Sequence, residues 1–401
     1  METALGGARV LELCNMVAGP FCTKIMADMG AEVIKVEKPG SGDEARRRGP
    51  FPGDVPHPER SGLFIYLNTN KLGITLDHTT AQGREILSEL VRKVDIVVED
   101  SPPGALAGLG LGYEALAQLN PRLIMTSITP FGQTGPHRDY KAYPLNCIHS
   151  CGEGYVTPSG SPFPDRPPTK LGKYTGEYEV GVYSALGTLA ALYYRGITGR
   201  GQHIDMSKQE TLTISCLFDH LPYSMVGMTV TRLMPRIPET GVVPCKDGHV
   251  MCVSLEQTFW LRIRKLMGEP EWTRADWYED QDRRREHAAE VRKGLEEWAS
   301  TRTKQELHKG ALEEGVALSP FFTPGEILQS ELLKSRGFFT EIEHPQVGKF
   351  TGVTAPYHFS KTPWRFERAA PMLGEHNEEI YGKRLGYSRQ KLAELAGQGV
   401  I

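Results

Sequence analysis

The 401-residue sequence lacks any apolar run approaching the 18 or more residues of a membrane span. Its first twenty residues carry no basic stretch before an apolar core, so no signal peptide is predicted. Basic residues are not in excess either, since 46 Lys and Arg face 49 Asp and Glu, for a net charge of −3. A dedicated nucleic-acid-binding protein usually shows a strong basic excess. We therefore expect neither a membrane nor a nucleic acid as a partner.

The seven cysteines are an odd number without the regular spacing of a disulfide framework. Free thiols in a reducing cytoplasm are the simplest interpretation, and a cytoplasmic location is the prediction. Cys147, His149 and Cys151 lie close together, but their spacing matches no structural zinc pattern and no second ligand pair appears elsewhere. No metal site is predicted.

The first third of the chain alternates predicted strands and helices. Strands are predicted at Arg9 to Leu13, Glu32 to Glu37, 73–77, 95–98 and 123–128, with helices starting at Pro20 and after a capping box of Thr79 and Gln82. Such βαβ units imply a parallel sheet with right-handed crossovers, and hence an α/β fold.

The middle of the chain changes character twice. Residues 129–175 are rich in Gly and Pro, and a loop region this long is usually functional. A long helix is predicted from Gly176 to Arg195, followed by a strand at 203–206. Residues 225–330 then hold four of the five tryptophans and many charges, which indicates a second, smaller domain.

Three segments could bind phosphates. The turn at residues 15–20 joins a strand to a helix, where free N–H groups form an anion site, or it is an ordinary βα turn. Arg46 to Arg48 follow a glycine-rich loop and either grip phosphates or form a solvated charge run. Lys71 is likewise either a phosphate contact or a surface charge.

Glu177 is the candidate nucleophile. It falls in the first turn of the long helix, where the helix dipole favours the ionised form that a carboxylate nucleophile needs. The alternative is that it only stabilises the helix. His149, upstream in the irregular region, is more often structural than catalytic when considered alone.

Five segments together resemble one family. They are residues 17–43 (VAGPFCTKIMADMGAEVIKVEKPGSGD), 67–77 (LNTNKLGITLD), 94–106 (VDIVVEDSPPGAL), 198–210 (TGRGQHIDMSKQE) and 370–381 (APMLGEHNEEIY). Their order and spread identify the chain as similar to the class III CoA-transferases, the formyl-CoA:oxalate and carnitine CoA-transferase group. The α-methylacyl-CoA racemases share that fold.

The resemblance implies an interlocked homodimer. Each chain would have a large Rossmann-like domain built from both termini, here 1–224 and 331–401, and a small α+β domain at 225–330. The implied CoA ligands are Val17, Ala18, Lys38, Asn70, Lys71 and Lys141. The implied substrate pocket contains Tyr143, Asn146 and His149. An arginine that contacts phosphate in some members is Gly108 here, for which Arg46 to Arg48 could compensate.

The family nucleophile is an aspartate four residues before a helix glycine. Counting back from Gly181 reaches Glu177, whose extra methylene moves the carboxylate by roughly 1.3 Å. The implied reaction passes through an enzyme anhydride and a glutamyl-CoA thioester. Because thioester energy is retained, it needs no ATP, no metal and no permanently bound cofactor, and CoA is a substrate.

Two alternatives stay open. A racemase or epimerase would use a histidine and an aspartate as acid and base. Those positions are Tyr143 and Glu177 here, and a tyrosine with an ordinary pKa of about 10 is a poor base. The chain could also be a CoA-binding supporting subunit of a heteromeric transferase whose partner supplies the aspartate. The donor and acceptor acids are not readable from the sequence.

Overall fold

The computed structural model describes residues 2–158, 163, 165–170, 172–234, 238, 240–254 and 256–401. Their contacts divide them into two units. The larger comprises the described residues of 1–158, 165–231 and 336–401, and the smaller contains Phe163 with the described residues of 232–335. The main segment of the smaller unit runs from residue 232 to residue 335, whereas the sequence predicts the boundaries at 224/225 and 330/331.

A six-stranded parallel sheet forms the centre of the larger unit. The strands are β1 (Arg9–Leu13), β2 (Glu32–Glu37), β3 (Lys71–Thr75), β4 (Ile96–Glu99), β5 (Ile124–Thr129) and β6 (His203–Ser207). Their order is β3-β2-β1-β4-β5-β6, the doubly wound arrangement of dinucleotide-binding folds. Val10 of β1 pairs with both Val33 and Ile96, so the order reverses beside β1.

Alternate residues of each strand pack into two different cores, because successive side chains point to opposite faces of the sheet. Leu11 and Ile34 pack on one face, and Val10 and Val33 on the other. Helices cover both faces. In chain order they are α1 (Ala18–Asp28), α2 (Gly62–Asn68), α3 (Ala81–Val91), α4 (Ala105–Gly108), α5 (Tyr113–Leu119), α6 (Pro144–Ser150), α7 (Glu153–Val156), α8 (Thr175–Thr198), α9 (Lys208–Ser215) and α10 (Leu217–Val226).

The long helix α8 packs tightly on α1. Gly181 makes this possible, since a Cβ added there would lie 2.8 Å from the backbone oxygen of Ala18. Phe21 and Tyr178 then meet edge to face, with ring centroids 4.8 Å apart. The sequence fixes this geometry because any larger residue at position 181 would push the two helices apart.

The C-terminal part of the chain completes the sheet edge. It contributes an antiparallel hairpin of β10 (Phe339–His344) and β11 (Gly348–Val353), a π-helical segment (Glu378–Arg384) and the last helix α17 (Arg389–Gly397). The hydroxyl of Tyr381 donates to the backbone oxygen of Thr75 at 2.7 Å. Both ends of the chain thus build the larger unit.

The smaller unit has its own sheet and core. β7 (Gly241–Cys245), β8 (Gly248–Cys252) and β9 (Leu318–Pro320) form an antiparallel sheet. Helices pack beside it, namely α11 (Gln257–Leu266), α12 (Gln281–Glu286), α13 (Ala288–Ser300), α14 (Lys304–Glu314), α15 (Pro324–Gln329) and α16 (Glu331–Ser335). Trp260 is fully buried in this core, and its indole N–H donates to the backbone oxygen of Tyr278.

Two local expectations need correction. The third strand starts at Lys71, not at residue 73, because the buried Lys71 ammonium is balanced by the Glu12 carboxylate 2.8 Å away. The cap of α3 is Thr80, whose hydroxyl accepts from the backbone N–H of Gly83, whereas Thr79 donates to Asp77. Within the described residues, no helix combines the length and apolarity needed to cross a membrane.

Candidate active site

A cavity of about 650 Å³ opens at the carboxyl ends of the parallel strands of the larger unit. This is the edge at which doubly wound sheets bind ligands, next to the point where the strand order reverses. The lining residues come from the segments after β1, β2 and β4, from the segment at the start of α6, and from the first turns of α8 and α9 with the residue before α8. They are Asn15, Met16, Val17, Lys38, Ser41, Gly42, Glu44, Arg47, Arg48, Asp100, Ala142, Tyr143, Pro144, Tyr174, Glu177 and Lys208.

An ion pair between Glu177 and Lys208 lies in this cavity. Glu177 stands in the first turn of α8, and Lys208 is the first residue of α9, directly after β6. The Lys208 ammonium donates to the Glu177 carboxylate at 2.7 Å, and 17% and 7% of the two side chains are exposed. The helix predicted around Glu177 thus presents its carboxylate to the cavity, but paired with a cation.

Two further titratable groups interact with Lys208, the carboxyl group of Asp100 and the thiol of Cys147. Burial acts to lower the pKa of Lys208, yet Glu177 and Asp100 outweigh it and raise that pKa above its ordinary value. Burial also raises the pKa of the Cys147 thiol to about 11. Lys208 is therefore a cation and Cys147 a neutral thiol at physiological pH.

Asp100 follows β4 and behaves differently from an ordinary aspartate. Burial raises its pKa to about 7, although the backbone N–H of Asn15 donates to it at 2.9 Å and Lys208 lowers the pKa. Its neighbours Glu99 and Asp43 raise the pKa further. Asp100 therefore changes charge near neutral pH inside the cavity.

A closed network of charges supports the floor of the cavity. Glu12 of β1 accepts from Lys35 at 2.7 Å and from Lys71 at 2.8 Å, and Lys35 also pairs with Asp43 at 2.8 Å. Every one of these side chains is fully buried. Asp43 in turn accepts from the backbone N–H of Met16, which holds the loop after β1 in place.

The turn after β1 was expected to offer free N–H groups, and two of them are occupied. The N–H of Asn15 donates to Asp100 and that of Met16 to Asp43. Val17 lines the cavity, whereas Ala18 is buried at the start of α1, where its carbonyl approaches Gly181. Asn15 and Met16 therefore do not form the expected anion site.

Basic residues surround part of the cavity. Lys38 follows β2 and is exposed, and so are the lining residues Arg47 and Arg48. Arg46 does not join them. Its guanidinium is fully buried, pairs with Glu37 and Glu59 at 2.6 Å each, and lies over the ring of Phe64. Of the three consecutive arginines, only Arg47 and Arg48 face the site.

Asn70 and Lys71 are placed in structural roles. Lys71 has no exposed atoms and donates to Glu12, to Asn68 and to the Pro20 carbonyl. The Asn70 amide oxygen accepts from the backbone N–H of Glu367, which fastens the C-terminal segment to β3. Neither residue lines the cavity, and this placement does not support their expected contact with CoA.

The remaining predicted residues lie on the segment that contains α6. Lys141 is exposed one residue before the lining residue Ala142, and Tyr143 lines the cavity with 78% of its surface exposed. Asn146 caps α6 by accepting from the backbone N–H of Tyr143 at 2.9 Å. His149 is exposed and packs over Gly154, so its expected place in a substrate pocket is not supported by this cavity.

The structure also shows the surroundings of Gly108 and of the cysteines considered as metal ligands. Gly108 ends α4, and a Cβ added there would have no described neighbour within 4 Å. Within the described part of the chain, one cluster has the composition of a metal site, namely Cys151, Glu153 and Cys216, whose ligand atoms lie within 4.8 Å of one another. Of the three residues considered in the sequence, only Cys151 belongs to it.

Lys208 and Asp100 are functional candidates that sequence reasoning missed. A signal for both exists, because each is the first charged residue after the carboxyl end of a parallel strand, and these ends meet at one edge of the sheet. Lys208 even lies within the matched segment 198–210.

Comparison with known proteins identifies the family. The model of CoA-transferase family III matches residues 5–377. The chain belongs to this family. A formyl-CoA:oxalate CoA-transferase of Rhodopseudomonas palustris (strain BisB18) is 32% identical over 100% of this chain and 98% of the relative. A succinyl-CoA–D-citramalate CoA-transferase of Chloroflexus aurantiacus is 34% identical over 99% and 98%.

A solved structure agrees with the fold. A CAIB/BAIF family protein from Brucella suis superposes with a TM-score of 0.85 at 29% identity, covering 96% of this chain and all of the other. The resemblance inferred from five sequence segments is therefore confirmed, together with the α/β fold and its parallel central sheet.

Proposed function

We propose that this CoA-transferase moves CoA from an acyl-CoA thioester to a free carboxylic acid, with Glu177 as the nucleophile. The observation that carries the proposal is the placement of Glu177. It is an ionisable carboxylate at a helix start, inside a cavity of ligand size, at the ligand-binding edge of the sheet. A nucleophilic carboxylate reacts in its ionised form, and the Lys208 ammonium lies 2.7 Å from the carboxylate of Glu177.

The reaction would proceed in four steps. Glu177 attacks the acyl carbonyl, forming an anhydride and releasing CoA thiolate. The thiolate attacks the glutamyl carbonyl and releases the donor acid, which leaves a glutamyl-CoA thioester. The acceptor carboxylate attacks that thioester, forming a second anhydride, and the thiolate then takes the acceptor acyl group. Glu177 is regenerated, and thioester energy is retained throughout.

The CoA phosphates would bind at the basic side of the cavity. Lys38, Arg47 and Arg48 are exposed there and carry the charge that phosphates need. Val17 borders the same space, and Lys141 lies beside it, so both stay in the proposed CoA site. Backbone N–H groups near Ala18 are the proposed oxyanion donors.

A second candidate function is a CoA-binding supporting subunit. The Glu177–Lys208 pair is the observation that favours it, because an ion-paired carboxylate is a weaker nucleophile than a free one. Such a chain would bind CoA while a related partner supplied the nucleophile. We propose the homodimer implied by the family resemblance for the transferase, and the heteromer for this alternative.

Racemase or epimerase chemistry has less support. It needs a base able to remove a proton next to the thioester carbonyl. Tyr143 holds the expected position and is largely exposed, while His149 does not line the cavity. The groups that interact with Glu177 are instead the cation Lys208 and the thiol Cys147.

The test is to trap the anhydride or thioester on Glu177. Purified protein is incubated with succinyl-CoA, formyl-CoA and aromatic acyl-CoA thioesters, then treated with hydroxylamine and mapped by mass spectrometry. We expect a hydroxamate on Glu177 with at least one donor. CoA binding without any adduct would favour the alternative of a CoA-binding subunit without its own nucleophile. Exchange of the α-proton of the thioester with deuterated water would then test for racemase activity.

A further inference from the structure

We propose that Lys208 is a catalytic residue that stabilises the CoA thiolate released when Glu177 takes the acyl group. This inference deepens the proposed function and rests on it. Its starting point is the contact between the Lys208 ammonium and the Glu177 carboxylate at 2.7 Å, at the atom that attacks the thioester.

The charge on Glu177 changes during the first step. An oxygen lone pair of its carboxylate forms the bond to the acyl carbon, and the carbon–sulfur bond breaks with its electron pair staying on sulfur. No proton moves. One negative charge thus passes from the carboxylate to the sulfur, while Lys208 keeps its positive charge.

The loss of the carboxylate charge would leave Lys208 without its closest anion. The Lys208 ammonium, 17% exposed, then attracts a new anion into the same space. The departing thiolate is formed there. Because charges in a partly buried site attract more strongly than in water, the pairing can lower the barrier to thiolate release.

The other groups around Lys208 are suited to this role. Cys147 stays a neutral thiol, so it does not compete for the cation. Asp100 interacts with Lys208 from the β4 side, and Lys208 in turn lowers the pKa of Asp100. Asp100 therefore adds a second electrostatic interaction with the ammonium while the ion-paired partner changes from carboxylate to thiolate.

The variant Glu177→Gln imitates the charge state after the first step, since its amide is neutral as an anhydride is. The experiment measures the binding of CoA and of desulfo-CoA, which has hydrogen in place of the thiol, to this variant between pH 6 and pH 9. A free alkyl thiol ionises near pH 8.5, so only CoA can gain affinity by becoming a thiolate.

We expect Glu177→Gln to bind CoA about tenfold more tightly than desulfo-CoA at pH 8, and the preference to grow with pH. The wild-type protein should show little preference, because the Glu177 carboxylate repels the thiolate. The double variant E177Q/K208M should lose the preference, whereas E177Q/K208R should retain most of it. Thiolate absorbance in the ultraviolet gives the ionisation of the bound thiol independently.

Lys38→Met in the Glu177→Gln background is the matched control. It removes a cation from the same cavity on its basic side, so it should weaken both ligands equally and keep their ratio. Equal binding of CoA and desulfo-CoA by Glu177→Gln would overturn the inference. Retention of the preference in E177Q/K208M, or failure of Glu177→Gln to bind either ligand, would overturn it as well.

The outcome is separable from that of the proposed function. Absence of a hydroxamate on Glu177 together with a Lys208-dependent thiol preference would refute the nucleophile and keep the thiolate site. A hydroxamate on Glu177 without a thiol preference would keep the nucleophile and refute the role of Lys208.

Discussion

Two glutamates of the larger unit each pair with lysine, and their surroundings differ. Glu12 lies in the middle of the sheet, with no exposed atoms, between Lys35 and Lys71. Glu177 lies at the edge of a cavity, with Lys208 as its cation. Glu12 and its two lysines are enclosed by protein, whereas Glu177 and Lys208 face space that a ligand can enter. The same two residue types thus build a buried support in one place and a pair that lines a cavity in the other.

The acidities of the buried carboxyl groups reinforce this contrast. Burial alone would raise the pKa of Glu12, but Lys35 and Lys71 outweigh it and lower the pKa to about 2. Asp100, at the cavity, has its pKa raised to about 7 because burial is only partly offset. The Glu12 carboxylate therefore stays charged at physiological pH, whereas the cavity contains a carboxyl group that titrates near neutral pH.

The largest expected effect tests whether Glu12 is a support. Glu12→Gln leaves the Lys71 ammonium buried without a carboxylate, so we expect a loss of about 3–5 kcal/mol in the free energy of unfolding. Glu177→Gln should cost at most about 1 kcal/mol, since Lys208 keeps Asp100 nearby and faces the cavity. Urea denaturation measures the loss of stability in each variant. Equal losses would contradict the difference between the surroundings of Glu12 and Glu177.

The next effect concerns the reach of Glu177. Glu177→Asp withdraws the carboxylate by roughly one bond, and a displacement of about 1 Å can reduce a rate by about 10²-fold. We expect such a loss in CoA transfer with little change in CoA affinity. Steady-state rates and equilibrium binding of CoA measure the two separately. Full activity of the aspartate variant would mean that the pocket does not depend on the length of this side chain.

A smaller effect is expected from a substitution that shifts the helix carrying Glu177 and leaves the Glu12 network unchanged. Gly181→Ala places a methyl group 2.8 Å from the Ala18 carbonyl and pushes α8 away from α1, at a cost of about 1–3 kcal/mol. Gly187→Ala on the same helix is the control, because its nearest neighbour would be 3.7 Å away. This control should leave stability unchanged or raise it. Thermal unfolding compares the variants, and similar behaviour of the two would contradict the tight packing.

A separate effect is a pH dependence of stability from Asp100. Its pKa is higher in the folded protein than its ordinary value of 3.8, so the folded state binds more protons than the unfolded state between these values. Asp100 therefore lowers stability as the pH rises from about 4 to about 7. Asp100→Asn should show a shallower decline across that window by urea denaturation at a series of pH values. An unchanged slope would assign the titration to another group.

Much of the fold could be predicted from local pattern. The first two strands match the structure residue for residue, because buried apolar runs bounded by turn residues identify parallel strands well. The role of Glu177 stays a prediction, made from its place in the first helical turn and from the spacing to Gly181 that the family resemblance implies. The structure adds that Gly181 is required where α8 meets α1.

The failures share a physical cause. Lys71 and Arg46 look like free basic residues in the sequence, yet Glu12 of β1 and Glu37 of β2 are buried with them. Lys208 was missed for the same reason, since its pairing with Glu177 spans 31 positions of sequence. The ion-pair partner of a charged residue cannot be predicted from the sequence before the order of the strands in the sheet is known.

The most direct test of the central claim follows oxygen atoms. An acceptor acid labelled with ¹⁸O in its carboxylate is incubated with the protein and a donor acyl-CoA, and the peptides are then analysed by mass spectrometry. If Glu177 carries the acyl group, each turnover leaves one acceptor oxygen on its carboxylate, so the peptide containing Glu177 becomes heavier and that of Glu12 does not. Turnover of CoA without label on Glu177 would contradict the account.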